Sequence, residues 1–407
     1  MDGVALGTLL GLSLTVFIVP ILWFRGHDNF GSSRYLALFV LVIGISLLQT
    51  LLLHSGMTQK FPWLSGLGQF FYFALGPLLY FYTKSLTNQQ FVFSDADCWH
   101  FLPVAISFLC YLPVYVQSPE AKRYIVELYF NNTTTLAMEG LARTDQLALL
   151  PLSSKIYLAQ FIALMLHLAA YAMVILRRLK QHRSRIELEF SSLELISLNW
   201  LRWLNWLVLT VSVSSLLFLV LRILAEDPAS PATRLLPVLS LAVLVYYSGW
   251  MGLRQPQIYG AEPTEEGLNE TPETDVDEVP AKAQTTGLST ADAEEHWRRL
   301  QQFIGNQKPY LRSGLTIKQL ADELELSVAH LSQVINSFAR MNFFDYINLH
   351  RIEYSKELLA PSEGSNRKVL DIALSSGFNS QSTFYAQFKK HVGCTPSQYR
   401  ARLRSSN

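Results

Sequence analysis

The sequence predicts an all-α protein whose two halves differ sharply in composition. Long apolar stretches fill the first part of the chain, and they predict an N-terminal seven-helix transmembrane domain at 1–253. Residues 254–290 are acidic and hold four prolines, which is typical of a disordered linker. Residues 291–407 repeat one pattern of short helices, which predicts a C-terminal all-α domain with two matching helical pairs joined by a long helix.

Seven apolar stretches are the candidate membrane spans. A helix needs roughly 20 apolar residues to cross a bilayer core of about 30 Å, and the first stretch is too long for a cleaved signal peptide. The weakest stretch is 99–116, because it is shorter and holds Pro103 and Pro113. Counts of six or eight spans therefore stay open. The seven stretches are Gly3–Phe24, Tyr35–Leu53, Phe61–Thr83, Trp99–Val116, Ile156–Leu176, Trp203–Leu221 and Leu235–Leu253.

The short loops carry basic residues on one side of the predicted membrane. Residues 177–185 hold five Lys or Arg in nine positions, and Arg25, Arg34 and Lys84 fall at loops on the same side. Basic loops stay in the cytoplasm, so the N-terminus is expected outside and the C-terminus in the cytoplasm. An odd number of spans agrees with this orientation.

Two features of the apolar half are candidates for sensing a signal. The loop from Gln117 to Lys155 is the longest between spans, and a loop of that length is often functional, although a plain connector with a short interfacial helix is an equal alternative. His167 lies near the middle of its span, where ionisable residues are functional candidates. Its alternative role is a neutral side chain hydrogen-bonded between helices. The signal ligand or membrane partner is unknown.

The linker at 254–290 has eight acidic residues against two basic ones and almost no aromatic residues. Such a composition cannot bury enough surface to become ordered. Its acidity would repel DNA and other polyanions, so the segment is expected to be a flexible tether.

The first helical pair begins at Thr316, which forms a predicted capping box with Gln319. Apolar residues follow at helical spacing, a short turn ends at Leu326, and Ser327 is placed to cap a second helix. Two short helices joined by a tight turn make a helix-turn-helix. The residues expected on the buried face of the second helix are Val328, Leu331, Val334, Ile335 and Phe338.

The second helical pair repeats this arrangement. Gly377 allows the turn, Phe378 fills the junction, and Ser380 is placed to cap the next helix. The spacing from Ala373 to Phe378 equals that from Ala321 to Leu326. One such pair could be an ordinary helical hairpin, but two matching pairs joined by a helix at 343–359 that stops before Pro361 argue for two helix-turn-helix units. The expected inward residues are Val369, Ile372, Ala373, Phe384 and Phe388.

The C-terminal domain resembles the AraC/XylS family of bacterial transcription regulators over about residues 295–404. The resemblance rests on the stretches 377–389 and 393–400, on 331–336, and on the segment from Phe343 to Ile352. The chain departs from the family pattern at Arg340, where glycine is usual. A positive φ there costs only about 1 kcal/mol, so the fold is not in doubt. The resemblance does not extend over the apolar half.

The resemblance implies that the helices starting at Ser327 and Ser380 enter successive major grooves of double-stranded DNA, about one turn apart. Lys389, Lys390 and Arg351 are then expected to contact phosphates, which set the register without reading sequence. The recognition helices are poor in exposed arginine, so reading of the operator relies on smaller polar groups or on DNA shape. The side chains expected at base edges are Ala329, Ser332, Gln333 and Asn336 in the first helix, and Gln381, Ser382, Tyr385 and Ala386 in the second.

These observations predict a membrane-bound one-component transcription regulator in the bacterial inner membrane, with the lipid bilayer and promoter DNA as partners and a homodimer left open. The alternatives are a transporter or enzyme with a regulatory helix-turn-helix tail, and a tail that binds proteins. No HExxH, GxSxG or Walker motif occurs, so no catalytic residue is expected. Cys98, Cys110 and Cys394 lack metal-ligand spacing, so neither a metal nor a cofactor is expected.

Overall fold

The computed structural model describes residues 3–25, 31–64, 66, 68–88, 90–116, 118, 122, 150–193, 197–224, 231–254, 288–360 and 367–405. Most of the predicted outer loop, nearly all of the predicted linker and Pro361 lie outside these ranges. The chain divides into two compact units. The first contains residues 1–180 and 198–260, and the second contains 181–197 and 261–407. The second unit therefore includes a short segment from between two predicted spans.

The first unit is built mainly from long apolar helices, with one short polar helix among them. They are α1 (Gly3–Phe24), α2 (Ser32–His54), α3 (Met57–Lys60), α4 (Leu75–Thr87), α5 (Leu102–Tyr115), α6 (Leu150–Glu189, up to Lys180 in this unit), α7 (Asn199–Leu224) and α8 (Pro231–Arg254). Among the described residues, six helical segments are long and apolar enough to cross a membrane. Five lie within α1, α2, α6, α7 and α8, and the sixth spans Pro62–Thr87, where short 3-10 helices precede α4.

The seventh predicted stretch, 99–116, forms a shorter helix than expected. A 3-10 helix occupies Asp95–Phe101, and only then does α5 begin, with 14 residues. At 1.5 Å per residue, α5 is about 21 Å long, well short of a bilayer core of about 30 Å. The described residues therefore favour the alternative count of six spans. The 3-10 helix begins before the predicted stretch for a local reason, because Ser94 and Asp97 form a capping box and Asp97 pairs with Lys84 at 3.0 Å.

The packing of the first unit gives His167 a structural role. Its Nε2 lies 3.0 Å from the carbonyl oxygen of Phe73, which precedes α4. The ring also packs against Phe73 and Tyr171. The histidine is thus hydrogen-bonded between helices, which was the alternative to a sensing role.

The second unit contains seven further helices in its described residues. They are α9 (Thr290–Gln307), α10 (Ile317–Glu323), α11 (Val328–Ala339), α12 (Phe343–Leu359), α13 (Val369–Ser375), α14 (Gln381–Val392) and α15 (Pro396–Ser405). The bounds of α12 are those predicted for the joining helix.

Helix α12 contributes to two separate hydrophobic cores. Its first half places Tyr346 and Ile347 in a core with α9, α10 and α11. Its second half places Ile352 and Leu359 in a core with α13 and α14. One continuous helix thus supports both helix-turn-helix units.

Two residues expected in the first core lie at its edge. Val328 is 40% exposed and Phe338 is 39% exposed. Phe338 stacks on Trp297 of α9, with ring centroids 5.5 Å apart and planes 8° from parallel. Helix α9 was not part of the predicted pair. It packs on one side of α11, so Phe338 contacts α9 and does not enter the centre of the core.

Candidate nucleic-acid interface

The first helix-turn-helix unit consists of α10 and α11. Thr316 and Gln319 form the predicted capping box at the start of α10, with the Gln319 N–H donating to the Thr316 hydroxyl at 3.2 Å. The turn closes where the Leu326 N–H donates to the Ala321 carbonyl at 2.9 Å. This closure places Glu325 in the left-handed region, at φ 56°. Ser327 then caps α11 by accepting from the His330 N–H.

The second helix-turn-helix unit consists of α13 and α14, and the same backbone bond closes its turn. The Phe378 N–H donates to the Ala373 carbonyl at 3.1 Å. Gly377 takes the left-handed position, at φ 86°. Ser380 caps α14 by accepting from the Thr383 N–H at 3.3 Å. The equal spacing in the sequence therefore corresponds to an equal local geometry in the two units.

Gly377 also brings the second turn against the loop that follows α9. A Cβ at this position would lie 2.5 Å from the carbonyl oxygen of Tyr310 and 3.0 Å from Nε of Arg351. Only glycine permits this approach, because the nearest atom belongs to the main chain. The turn, the loop and the middle of α12 are packed together at this point.

The first recognition helix, α11, exposes part of the predicted base-reading surface. Ser327, Ala329 and Asn336 are exposed, whereas Ser332 and Gln333 are half-buried. The Asn336 amide donates to the Ser332 hydroxyl at 3.5 Å. The polar side chains of this face are small and uncharged.

The second recognition helix, α14, exposes Gln381, Ser382 and Ala386 near its N-terminal end. Tyr385 is half-buried, and its hydroxyl lies 3.1 Å from that of Ser397. The Ser380 hydroxyl, which caps the helix, lies 2.9 Å from that of Ser382. These contacts position the polar groups at the start of the helix.

The three predicted phosphate contacts have different surroundings. Lys389 and Lys390 are exposed in the last turn of α14, and Lys390 forms an ion pair with Asp345. Arg351 is only 1% exposed. A phosphate cannot reach a guanidinium inside the core, so the role expected of Arg351 does not fit this structure. The loop after α9 covers this position of α12, and the local sequence around Arg351 does not indicate that cover.

Arg351 satisfies its donors with neutral oxygens. Nε donates to the Tyr310 carbonyl at 2.7 Å, and NH2 donates to the Arg312 carbonyl at 2.9 Å. NH1 donates to the Asn348 side chain and to the carbonyl of Ser191. Burial lowers the pKa of the guanidinium to about 10, so it remains charged at neutral pH.

Sequence reasoning missed two residues beside the recognition surface. Asn379 is exposed immediately before the cap of α14, and its amide donates to the hydroxyl of Ser192 at 2.8 Å. Nothing in the local pattern of residues 190–192 indicates a partner more than 100 positions away. Asn379 itself belongs to the quoted stretch 377–389, and its place next to a helix cap was the available signal.

Comparison with known proteins identifies the family of the C-terminal helices. A protein-family model described as a helix-turn-helix domain matches residues 320–402. The probable transcription factor PqrA of Proteus vulgaris is 34% identical over 88 residues, which cover 21% of this chain and 69% of that protein. The chain belongs to the AraC family of transcription regulators.

Other AraC-family proteins match a similar share of the chain. The melibiose operon regulatory protein of Escherichia coli strain K12 is 33% identical over 99 residues, which are 24% of this chain. The regulator ExsA of Pseudomonas aeruginosa is 31% identical over 108 residues, which are 26% of this chain. The chain spans about a third of the length of each of these two relatives, 32% and 37%. The AraC-family match is to transcription regulators rather than to enzymes.

Proposed function

We propose that this AraC-family chain is a membrane-bound one-component transcription regulator, which binds promoter DNA through its two helix-turn-helix units. The observation that carries the proposal is the pair of recognition helices, α11 and α14, which are supported by the single helix α12. The same chain contains six helical segments of membrane-spanning length and composition. In this proposal, the sensor and the DNA-binding domain are parts of one polypeptide.

Sequence reading is assigned to the exposed polar groups of α11 and α14. Asn336 and Gln381 can each form two hydrogen bonds with an adenine, and Ala329 or Ala386 can touch a thymine methyl. Lys389 and Lys390 supply charge for phosphates at the end of α14. Because neither helix exposes arginine, DNA shape contributes to selection of the operator.

The proposed location is the bacterial inner membrane, with the N-terminus outside and the second unit in the cytoplasm. The support for this orientation is the basic run at 177–185, which fits a cytoplasmic loop. With six spans, as the structure favours, an N-terminus outside would leave the C-terminus outside too. The orientation therefore requires 95–115 to cross the membrane as a short seventh segment. Alternatively, the N-terminus lies in the cytoplasm and α1 runs the other way.

A topology experiment distinguishes these arrangements. Protease-cleavable tags are placed at the N-terminus and at the C-terminus of the full chain, and intact spheroplasts are treated with protease. The proposal requires that the C-terminal tag be protected. Cleavage of the N-terminal tag supports a seventh crossing, and its protection supports six. Cleavage of the C-terminal tag in intact spheroplasts overturns DNA binding in the cytoplasm.

DNA binding is tested with a matched pair of glutamine variants. Genome-wide occupancy of the full-length protein first identifies a bound fragment, and affinity for that fragment is measured with protein in lipid nanodiscs. Gln381→Ala is expected to weaken binding roughly 5- to 150-fold, the value of one good bidentate contact. Gln302→Ala is the control, since Gln302 is exposed on α9, outside both helix-turn-helix units. An absence of occupied sites, or of affinity above that for unrelated DNA, rejects the proposal.

A further inference from the structure

The segment Phe190–Ser192 is seated against the paired helix-turn-helix units, within the second unit of the chain. Phe190 forms an isolated antiparallel bridge with Thr316. The Ser191 N–H donates to the carbonyl of Leu315 at 3.1 Å. The segment thus pairs through its main chain with the residues that lead into α10.

Side chains of α12 hold Ser191 in place. Arg351 donates from NH1 to the Ser191 carbonyl and from NH2 to the Ser191 hydroxyl, both at 3.0 Å. The Asn348 amide donates to the same carbonyl at 3.3 Å. Ser191 is only 1% exposed, and bonds from a charged donor are stronger than those between neutral groups. The seat is therefore a built polar site, made by buried residues of α12.

The next residue of the segment reaches the second helix-turn-helix unit. Ser192 accepts a hydrogen bond of 2.8 Å from the amide of Asn379. Asn379 immediately precedes Ser380, which caps α14. Three consecutive residues therefore touch the start of α10 in the first helix-turn-helix unit and the residue before the α14 cap in the second helix-turn-helix unit.

These two helix ends are the parts of the units that approach DNA. In helix-turn-helix proteins the N-terminal residues of the recognition helix contact base edges, while the first helix crosses the backbone. Ser192 uses the donor of Asn379 that would otherwise be available at the start of α14. Phe190 is bridged through its main chain to Thr316, which caps α10. DNA that approaches the starts of α10 and α14 would therefore meet the seated segment.

We propose that Phe190–Ser192 is an autoinhibitory docking segment, whose seat on the paired helix-turn-helix units competes with DNA. The proposal rests on the proposed function of those units. The segment directly follows Glu189, the last residue of α6, and α6 contains a candidate span. A signal that moves the end of α6 would withdraw the segment and free the start of α14.

The first test releases the segment. Ser191→Pro removes the main-chain donor to Leu315 together with the hydroxyl that Arg351 holds, and Ser192→Ala removes the acceptor of Asn379. The double variant of the full chain, in nanodiscs, is titrated against a labelled duplex of about 40 base pairs at low salt. Coupling between sites is typically 5- to 150-fold, so binding at least fivefold tighter than the unaltered protein is expected. Ser197→Ala, a nearby serine with no role in the seat, is the control and should bind as the unaltered protein does.

Hydrogen exchange of α10 to α14 in the same samples shows whether the units remain folded. Equal or weaker DNA binding by a release variant with normal exchange protection overturns the proposal. If protection is lost in that variant, the decision passes to the second test, which leaves Ser191 intact.

The second test locks the segment. Ser192→Cys and Asn379→Cys are introduced after the exposed Cys98 and Cys110 have been changed to serine, with the buried Cys394 kept. Oxidation is expected to form a disulfide and to weaken DNA binding at least fivefold, and reduction should restore it. Each single-cysteine variant is a control and should not respond to oxidation.

The outcomes separate this inference from the proposed function. Failure of the disulfide to form, or its formation without a change in affinity, overturns the docking segment while DNA binding stands. If neither the unaltered protein nor the release variant binds DNA while both keep normal exchange protection, the proposed function fails and this inference fails with it.

Discussion

The ammonium group of Lys390 lies 2.6 Å from a carboxylate oxygen of Asp345. This ion pair joins the last turn of the second recognition helix to the first turn of α12. Lys390 therefore carries a charge that is already partly neutralised within the protein. Its neighbour Lys389 is exposed, and no ion pair of Lys389 is seen among the described residues.

The two lysines are expected to differ in how they affect the salt dependence of DNA binding. Replacing one lysine that contacts phosphate lowers the slope of log affinity against log salt by about 1. Lys389→Gln should show this full effect, and Lys390→Gln a smaller one. Asp345→Asn should strengthen binding at low salt, because it frees the charge of Lys390. Titrations at several salt concentrations measure the slopes. Equal slopes for the two lysine variants would contradict the assignment.

Gly377→Ala is expected to destabilise the second unit. A non-glycine residue in a sparsely populated backbone region costs about 1–3 kcal/mol. The new Cβ would also meet the Tyr310 carbonyl at 2.5 Å, so the total cost should exceed that range. Hydrogen-exchange protection of α13 and α14 in the full chain measures the loss.

Gly393→Ala is the matched control for this change. Gly393 has φ 80°, but nothing lies within 4 Å of the position of its Cβ. It should cost about 1–3 kcal/mol, the conformational part of the effect alone. A loss at Gly377 no larger than that at Gly393 would show that the close approach to Tyr310 does not matter.

Much of the second unit was predictable because its signals are local. Capping residues such as Thr316 and Ser327 sit directly before the helices they cap, and apolar spacing revealed the helices that follow. The turn at Gly377 needed only the conformational freedom of glycine. Each of these signals is contained within a few neighbouring positions of the sequence.

The remainder depended on contacts between distant parts of the chain. The burial of Arg351 results from the loop after α9 and from Ser191, 160 positions away. Phe338 lies at the edge of the core, where it stacks on Trp297 of α9. The short length of α5 follows from a helix start at Ser94, which the apolar window at 99–116 did not include. Hydrophobic periodicity contains none of this information.

The acid stability of α10 should depend on Glu323. Arg312 forms two hydrogen bonds with its carboxylate, at 2.5 and 2.8 Å, and this hydrogen bonding lowers the pKa of Glu323. A carboxyl with a lowered pKa contributes stability above its unfolded pKa, and loses it as the pH falls through the folded value. Both side chains are partly exposed, so the contribution should be below about 1 kcal/mol.

Glu323→Gln should therefore flatten the decline of stability below about pH 5, where unfolded glutamate begins to protonate. Urea midpoints of the second unit, measured by hydrogen exchange across this range, provide the comparison. Arg312→Gln should have the same effect, and the double variant should add nothing further. An unchanged acid dependence in either single variant would exclude the ion pair as the cause.

His350 is expected to make the second unit less stable as the pH falls below neutrality. Its ring packs between Tyr310 and Tyr346, and burial lowers its pKa, although Glu353 opposes the shift. The unfolded histidine then protonates first, from about pH 6.5 downward, and this favours the unfolded chain until the folded pKa is passed.

His350→Phe should remove this part of the pH dependence, since phenylalanine does not titrate. The comparison of urea midpoints between pH 8 and pH 5 measures it. At pH 8 both proteins are uncharged at this position, so the difference there reports only the packing of the new ring. A slope between pH 7 and pH 5 equal to that of the unaltered protein would show that another group is responsible.

Because α12 is one continuous helix, each recognition helix requires little affinity of its own. Once α11 occupies its half-site, α14 is held over the next one, and its binding becomes an intramolecular event. Even a short flexible connection supplies an effective concentration in the millimolar range, and avidity can exceed either separate affinity by about 10²–10⁴. Under the proposed function, the small uncharged side chains of the two helices, weak as individual contacts, hold a promoter because they act as a pair.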